Sequence, residues 1–268
     1  MCAVGAKSIL SSLGLMGVAK RIRAAIKRPV RLLLNRLIWL VTRLNGGGYT
    51  DFYERMMDHR ARYGSPLGKS AAEVTGHPDE PRRRFALDWF IARGWITPTT
   101  KFLDYGCGNA AAGINFIRYL GAGKYTGADI SSGSLERAVA WVVKIGLAAK
   151  LPHFIHLPGG SMSGFGGRGF DLIYAQDVVT HMPPENIKAL LAKMVLHMHK
   201  GSVFLLTYTH AGDDCEYQGD LVNWHHNARF FMGAVVGLPL ACEEVPEWTK
   251  AGYKLGHVSR MVRFRLRP

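Results

Sequence analysis

The sequence predicts an α/β protein: a seven-stranded, mostly parallel sheet with an antiparallel terminal strand and helices on both faces, plus an N-terminal helical extension. Three observations predict it. Between residues 101 and 207, short apolar runs alternate with helix-length segments. The first run, Phe102-Leu103-Asp104-Tyr105, leads straight into a glycine turn, Gly106-Cys107-Gly108-Asn109. Near the C-terminus, residues 258–266 alternate with the period of two of a partly exposed strand, imperfectly at Arg260 and Met261.

A chain of 268 residues has room for one sizeable α/β domain and an extension, and 48% apolar content suffices for a packed core. Residues 1–48 are predicted to form a basic, amphipathic helical arm. Nine Lys or Arg and no acid precede Asp51, so most of the net charge of +14 lies there; the rest carries 25 basic and 20 acidic residues. Within residues 28–44, Val30, Leu33, Leu34, Leu37, Leu40, Val41 and Leu44 share one helical face. Arg28, Arg31, Asn35, Arg36, Thr42 and Arg43 share the other, with Leu32 and Trp39 intruding. Pro29 suits the first turn of such a helix, and Gly46-Gly47-Gly48 ends it. The charge-free residues 8–19 are too few to span a bilayer, which takes roughly twenty apolar residues. Three roles stay open for the arm: an anionic lipid interface, packing on the body or a partner, and organelle targeting. A signal peptide is disfavoured, because no small-residue cleavage pattern follows a clean apolar core. The expected location is cytoplasmic and peripheral at a membrane, with an organelle as the alternative.

Residues 49–98 read as a polar helical cap and residues 99–268 as the α/β core. In residues 82–91, Phe85 and Trp89 turn inward with Leu87 or Ile91, while the arginines face solvent; Gly64-Ser65-Pro66-Leu67-Gly68 is a turn-rich loop. Strands are expected at 101–105, 124–129, 153–157, 170–176 and 202–207, and helices at 110–120, 133–145 and 184–199. A helix near 227–236 and strands at 240–245 and 258–266 close the chain. That hairpin-like ending departs from a dinucleotide-binding sheet, whose last strands stay parallel. Four scattered cysteines form no CxxC pair, so no zinc ribbon or disulfide framework is expected and a reducing compartment is the default.

The chemistry starts at the glycine turn. About one helix later, Tyr125-Thr126-Gly127-Ala128-Asp129-Ile130-Ser131 ends a strand on an acid. Turn glycines let backbone approach a ligand, and such an acid accepts hydrogen bonds from both hydroxyls of a ribose, so the pair points to a nucleoside ligand. Basic charge sits on the arm and not around this cleft, which disfavours nucleic acid as the partner.

Over residues 80–268 the chain resembles the class I S-adenosylmethionine-dependent methyltransferases, whose fold is Rossmann-like. The resemblance rests on Leu103-Asp104-Tyr105-Gly106-Cys107-Gly108-Asn109 as first motif and on Asp129 as second-strand acid. Phe170-Asp171-Leu172-Ile173-Tyr174-Ala175-Gln176-Asp177-Val178 with His181, and Lys200-Gly201-Ser202-Val203-Phe204-Leu205-Leu206-Thr207, complete it. It implies S-adenosyl-L-methionine as cofactor. Asp104 would lie near the methionine ammonium, and the backbone of Gly106, Cys107, Gly108 and Asn109 along the amino acid and ribose. Asp129 would hold the ribose hydroxyls, with Ile130 beside it, and Gln176 and Asp177 would flank the sulfonium. Two positions depart from the pattern. Ala110 replaces the usual third glycine, and Gly159-Gly160-Ser161-Met162-Ser163 stands where an acid usually reaches the adenine, so Ser161 becomes the hydrogen-bond partner and Met162 the packing surface.

His181 and Asp177 are the candidate catalytic pair. A histidine four residues after an acid can share its helical face and serve as a base, or it can cap the helix beginning near Pro183-Pro184-Glu185 or seal the adenosine pocket. Tyr208, His210 and Trp224, with Tyr217 and His225, follow the fifth strand and are substrate-contact candidates or a capping loop. Neither His197-Met198-His199 nor His225-His226 has an acid set at ligand spacing, so no metal is expected. The expected activity is methyl transfer to a small-molecule or lipid-linked acceptor, at oxygen, nitrogen or carbon. The alternative is a non-catalytic adenosine-cofactor-binding or assembly protein on the same fold. An aminopropyl transferase is disfavoured for want of an acid-rich pocket. The loop at 159–169 and the N-terminal helices are placed to close over the site.

Overall fold

The computed structural model describes residues 15–64, 81–250 and 259–268, with backbone alone at 15–24, 28, 81, 82 and 250. The predicted loop at 65–68, residues 8–14 of the charge-free run, and Val258 lie outside the described residues.

Seven strands form one sheet: β1 (Phe102–Tyr105), β2 (Tyr125–Asp129), β3 (His153–His156), β4 (Phe170–Ala175), β5 (Met198–Thr209), β8 (Leu240–Glu244) and β9 (Ser259–Leu266). Their spatial order is β3-β2-β1-β4-β5-β9-β8. β1 to β5 run parallel, and β9 alone is antiparallel to both its neighbours. The predicted sheet, including its antiparallel strand, is what forms. β1 and β2 are buried at every residue, as strands covered on both faces must be. Alternation then divides the core. Leu103, Ile173 and Leu206 pack on one face with Leu190 and Leu191 of α6 (Pro184–Met194) and Phe231 of α7 (Ala228–Ala234). Phe102, Leu172 and Leu205 pack on the other with Phe116 of α4 (Gly113–Tyr119) and Phe90 of α3 (Pro81–Ala92).

The chain order reverses at β1, which lies between β2 and β4. In an open α/β sheet that switch point opens a crevice at the carboxyl ends of the strands, and here it falls beside the glycine turn.

Several boundaries differ from expectation for identifiable reasons. The N-terminal helix α1 (Leu15–Leu44) starts well before residue 28, so Pro29 lies inside it and not in its first turn. Its packed side is also the one that read as polar. Asn35 and Thr42 are buried, while Ile38 and Trp39 pack against Phe52, Met56 and Val222. Short side chains there let α1 approach α2 (Tyr49–Tyr63), and the leucines face outward. In α3, Ala86, Leu87, Trp89 and Phe90 are buried, Phe85 is half-buried, and Ile91 faces out. α4 starts at Gly113, later than residue 110, because Ala110 takes φ of 56°, a left-handed geometry suited to the glycine it replaces. α6 stops at Met194, so His197 sits in a 3-10 turn and His199 in β5 instead of on a helix end. Ser202 anchors that early strand start: its Oγ donates to the Phe170 carbonyl at 2.6 Å and accepts from the His199 amide at 2.7 Å. Unforeseen were a two-stranded ribbon, β6 (Cys215–Tyr217) with β7 (Trp224–His226), and the short helix α8 (Pro246–Lys250).

Candidate active site

A cavity of about 420 Å³ fills the switch-point crevice, within the usual range for small-molecule sites. Gly106, Gly108, Asp129, Ile130, Met162, Gln176, Asp177 and His181 line it, all foreseen from sequence. Asp129 tips β2 and is buried. Its Oδ2 accepts from the Gly108 amide and its Oδ1 from the Ser131 amide, at 2.7 and 2.8 Å. A carboxylate has about four lone-pair sites, so two remain for a vicinal diol. Burial raises the Asp129 pKa, and the two amides oppose that rise. Gly108 has φ of 54°, and a Cβ there would meet nothing within 4 Å, so bare backbone faces open space. This floor and this acid suit a nucleoside.

Four predicted cofactor residues do not reach the cavity wall. Asp104 is buried beneath it and accepts from the Tyr125 hydroxyl at 2.8 Å. Burial pushes its pKa up to about 7, with the tyrosine hydrogen bond working against that and the Asp129 charge adding to it. Cys107 lies beside Gly127, where its sulfur would be 2.9 Å from an added Cβ, and burial raises its thiol pKa strongly. Asn109 turns back to its own loop, accepting from the Ala111 amide at 3.2 Å. Ser161 faces Ser163, with 3.0 Å between hydroxyls, leaving Met162 on the wall.

Asp177 follows β4 with φ of 55°, a strained geometry for a residue with a side chain. Its amide donates to Thr207 Oγ1 at 2.8 Å, its carbonyl accepts from Thr180 Oγ1 at 2.7 Å, and its Oδ1 accepts from Thr207 at 3.3 Å. Those bonds hold the turn. Residues Val179–His181 form a 3-10 turn, so Asp177 and His181 do not share an α-helical face. Nor does His181 cap α6, whose N-cap is Pro183 without a side-chain bond. Its Nδ1 lies 2.8 Å from the Val222 carbonyl, which can only accept, so Nδ1 carries the proton and Nε2 a lone pair. Its ring stacks on Tyr53 with centroids 5.6 Å apart. Burial lowers its pKa below the ordinary 6.5, keeping the ring neutral near pH 7.

A second cavity of about 370 Å³ adjoins the first and shares Asp177 and His181 with it. Thr180, Thr209, Gln218, Asn223, His225 and Ser259 complete its polar wall. Of the substrate candidates, Tyr208, His210 and Trp224 line neither cavity. Tyr208 is fully buried on the opposite side of β5 from Thr207, against Phe231, and donates to Glu244 at 3.2 Å. His210 bridges to His226 through backbone, and the Trp224 ring lies tilted against Tyr217 with centroids 4.6 Å apart. Among the described residues no group of three His, Cys, Asp or Glu is placed to hold a metal ion.

Sequence reading expected N-terminal helices over the site but named none of their residues that line it. From α2, Tyr49, Thr50, Tyr53 and Met57 line the first cavity. Its carboxylates moor it to the strand ends: Glu54 accepts from the Gly159 amide at 2.8 Å and lies 3.3 Å from His156, and Asp58 accepts from Ser131 Oγ and the Gly133 amide. Tyr49 donates to the His181 carbonyl at 2.9 Å. The signal was present as aromatics at Tyr49 and Tyr53 and acids at Glu54 and Asp58, each pair one helical turn apart.

Residues 102–201 match the family model of a methyltransferase domain. A probable methyltransferase, ltbC, of Aspergillus luteorubrus is 29% identical over 101 residues, covering 36% of this chain and 35% of that protein, so the match spans about a third of the relative's length. Magnesium protoporphyrin IX methyltransferase of Synechocystis PCC 6803 with bound S-adenosylmethionine superposes with a TM-score of 0.51 at 14% identity, over 92% of this chain and 97% of that one. An S-adenosylmethionine-dependent methyltransferase from Clostridium acetobutylicum gives 0.52 at 13% identity, over 69% and 91%. At such identities the structures speak for the fold. Residues 102–201 thus match a methyltransferase domain, and the fold around them is that of solved S-adenosylmethionine-dependent methyltransferases.

Proposed function

We propose that this chain, built on a class I methyltransferase domain, transfers the methyl of S-adenosylmethionine to an oxygen or nitrogen of a small-molecule or lipid-linked acceptor seated in the second cavity. One observation carries the reading: His181 and Asp177 line both cavities, and the Val222 carbonyl at Nδ1 leaves the His181 lone pair on Nε2.

Asp129 would hold the ribose hydroxyls on its two remaining lone-pair directions, with Gly106 and Gly108 giving backbone approach and Met162 an apolar face for the base. Asp104 lies one shell further in, where its carboxylate supports a cation at the amino-acid end. When bound, S-adenosylmethionine supplies a methyl carbon already activated by its sulfonium. The chain's share is therefore alignment, water exclusion and one proton. The α2 roof excludes water. His181 Nε2 takes the proton from the acceptor heteroatom, whose lone pair then forms the new bond to carbon as the carbon–sulfur bond breaks, its electron pair passing to sulfur. Gln218, Asn223 and His225 offer hydrogen bonds to a polar acceptor.

The test is incubation of the full chain with methyl-labelled cofactor and a cell lysate. Label is expected in small-molecule or lipid fractions. Tight cofactor binding with no transfer above background would favour a non-catalytic adenosine-binding protein instead.

A further inference from the structure

Outside the site, the largest apolar exposure in the described residues lies along α1. Ile26, Val30, Leu33, Leu37, Leu40, Val41 and Leu44 are between 37% and 77% exposed. At 100° per residue they fall within an arc of about 100°, and from Ile26 to Leu44 the stripe runs about 27 Å. The opposite side is fixed inward by Asn35, Ile38, Trp39 and Thr42, so packing turns the stripe outward. Contiguous apolar exposure of this extent marks an interaction surface. Charge says which kind. Exposed Arg36 and Arg43 lie along one shoulder of the stripe and half-exposed Lys27 along the other, and no acid occurs before Asp51.

We propose that α1 docks the chain on an anionic lipid bilayer, with the stripe at the headgroup–acyl boundary and Lys27, Arg36 and Arg43 reaching the lipid phosphates. A second copy is the poorer occupant, because stripe-to-stripe pairing would bring like-charged shoulders together. The helix lies in the interface and does not cross it: no helix among the described residues is long and apolar enough to span a membrane. Docking also has a consequence for the site. α1 joins α2 through residues 45–48, and α2 carries Tyr49, Thr50 and Tyr53 of the cavity wall, so the cavity would sit close to the lipid surface. Docking itself does not depend on methyl transfer and is measured without turnover.

The experiment is flotation of the full chain with vesicles of phosphatidylcholine alone and of phosphatidylcholine containing phosphatidylglycerol, with sedimentation in parallel. Binding is expected to the anionic vesicles and to fall in high salt. Leu37→Glu/Leu40→Glu should abolish it. Arg36→Gln/Arg43→Gln should weaken it by roughly twenty-five-fold, taking about fivefold per basic residue. Both variants should bind S-adenosylmethionine like the parent in calorimetry, which shows that they are folded. Absence of vesicle binding by the parent would overturn the proposal, as would equal binding to both vesicle types. So would a parent dimer that Leu37→Glu/Leu40→Glu converts to monomer while vesicle binding is unchanged.

Discussion

The two ends of the crevice are assembled by different rules. The proposed cofactor end draws chiefly on residues 104–130, where Asp129 at the tip of β2 accepts from the Gly108 amide after β1, and Asp104 of β1 accepts from Tyr125 of β2. The proposed acceptor end gathers Tyr53 from α2, Asp177 and His181 after β4, Thr209 from β5 and His225 from the ribbon. The first is one supersecondary unit whose geometry travels with its local sequence. The second exists only after distant segments have packed. If that division is physical, substitutions at the two ends should separate binding from turnover.

The largest effect is expected at His181. His181→Gln should lower turnover by about 10²- to 10⁴-fold with cofactor affinity unchanged, measured as kcat against calorimetric Kd. In the parent, the base is active when deprotonated, and burial holds its pKa below 6.5. The rate should therefore be flat above pH 6.5 and fall only on the acid side, and the variant should lose that acid limb. A variant with full turnover would return His181 to a pocket-sealing role.

Next comes Asp104, on the cofactor side. Its folded pKa of about 7 exceeds the ordinary 3.8, so between these values the folded chain keeps a proton that the unfolded chain has lost. Stability of the free protein should therefore fall as pH rises from about 4 to 7. Asp104→Asn keeps an acceptor for Tyr125 and removes the buried charge. Urea melts should show it gaining on the parent through that window, by on the order of a few kcal/mol at pH 8. Cofactor binding should weaken at the same time. Equal melts at pH 5 and pH 8 would contradict the assignment.

These two residues also show what was legible. Strand alternation and the glycine turn placed β1 to β5 and Asp129 correctly, because burial period and turn chemistry act over a few residues. Residue type also singled out His181, but not its neighbours: the Val222 carbonyl that sets its tautomer lies 41 residues away. Tyr208 was misjudged because a strand's alternation fixes the side of every residue at once, and Thr207 holds the Asp177 side. In α1, likewise, the side that packs is the one that reads as polar. Small, polar Asn35 and Thr42 permit close helix packing, which a hydrophobicity pattern scores as solvent.

The smallest expected effect lies in the roof that spans the two ends. Glu54→Gln weakens one mooring of α2, the bond from the Gly159 amide beside the contact with His156. A change of roughly threefold in cofactor affinity, about the worth of one part-exposed charged contact, is expected with kcat little altered. A large loss of kcat would mean that the roof orients the acceptor too.

The separation of the two ends is tested most directly by one calorimetric titration, S-adenosylmethionine into the parent, Asp129→Ala and His181→Gln. The parent and His181→Gln should bind with the same affinity, and Asp129→Ala should show no binding. Retained binding in Asp129→Ala, or lost binding in His181→Gln, would contradict the division of the crevice into a cofactor end and an acceptor end.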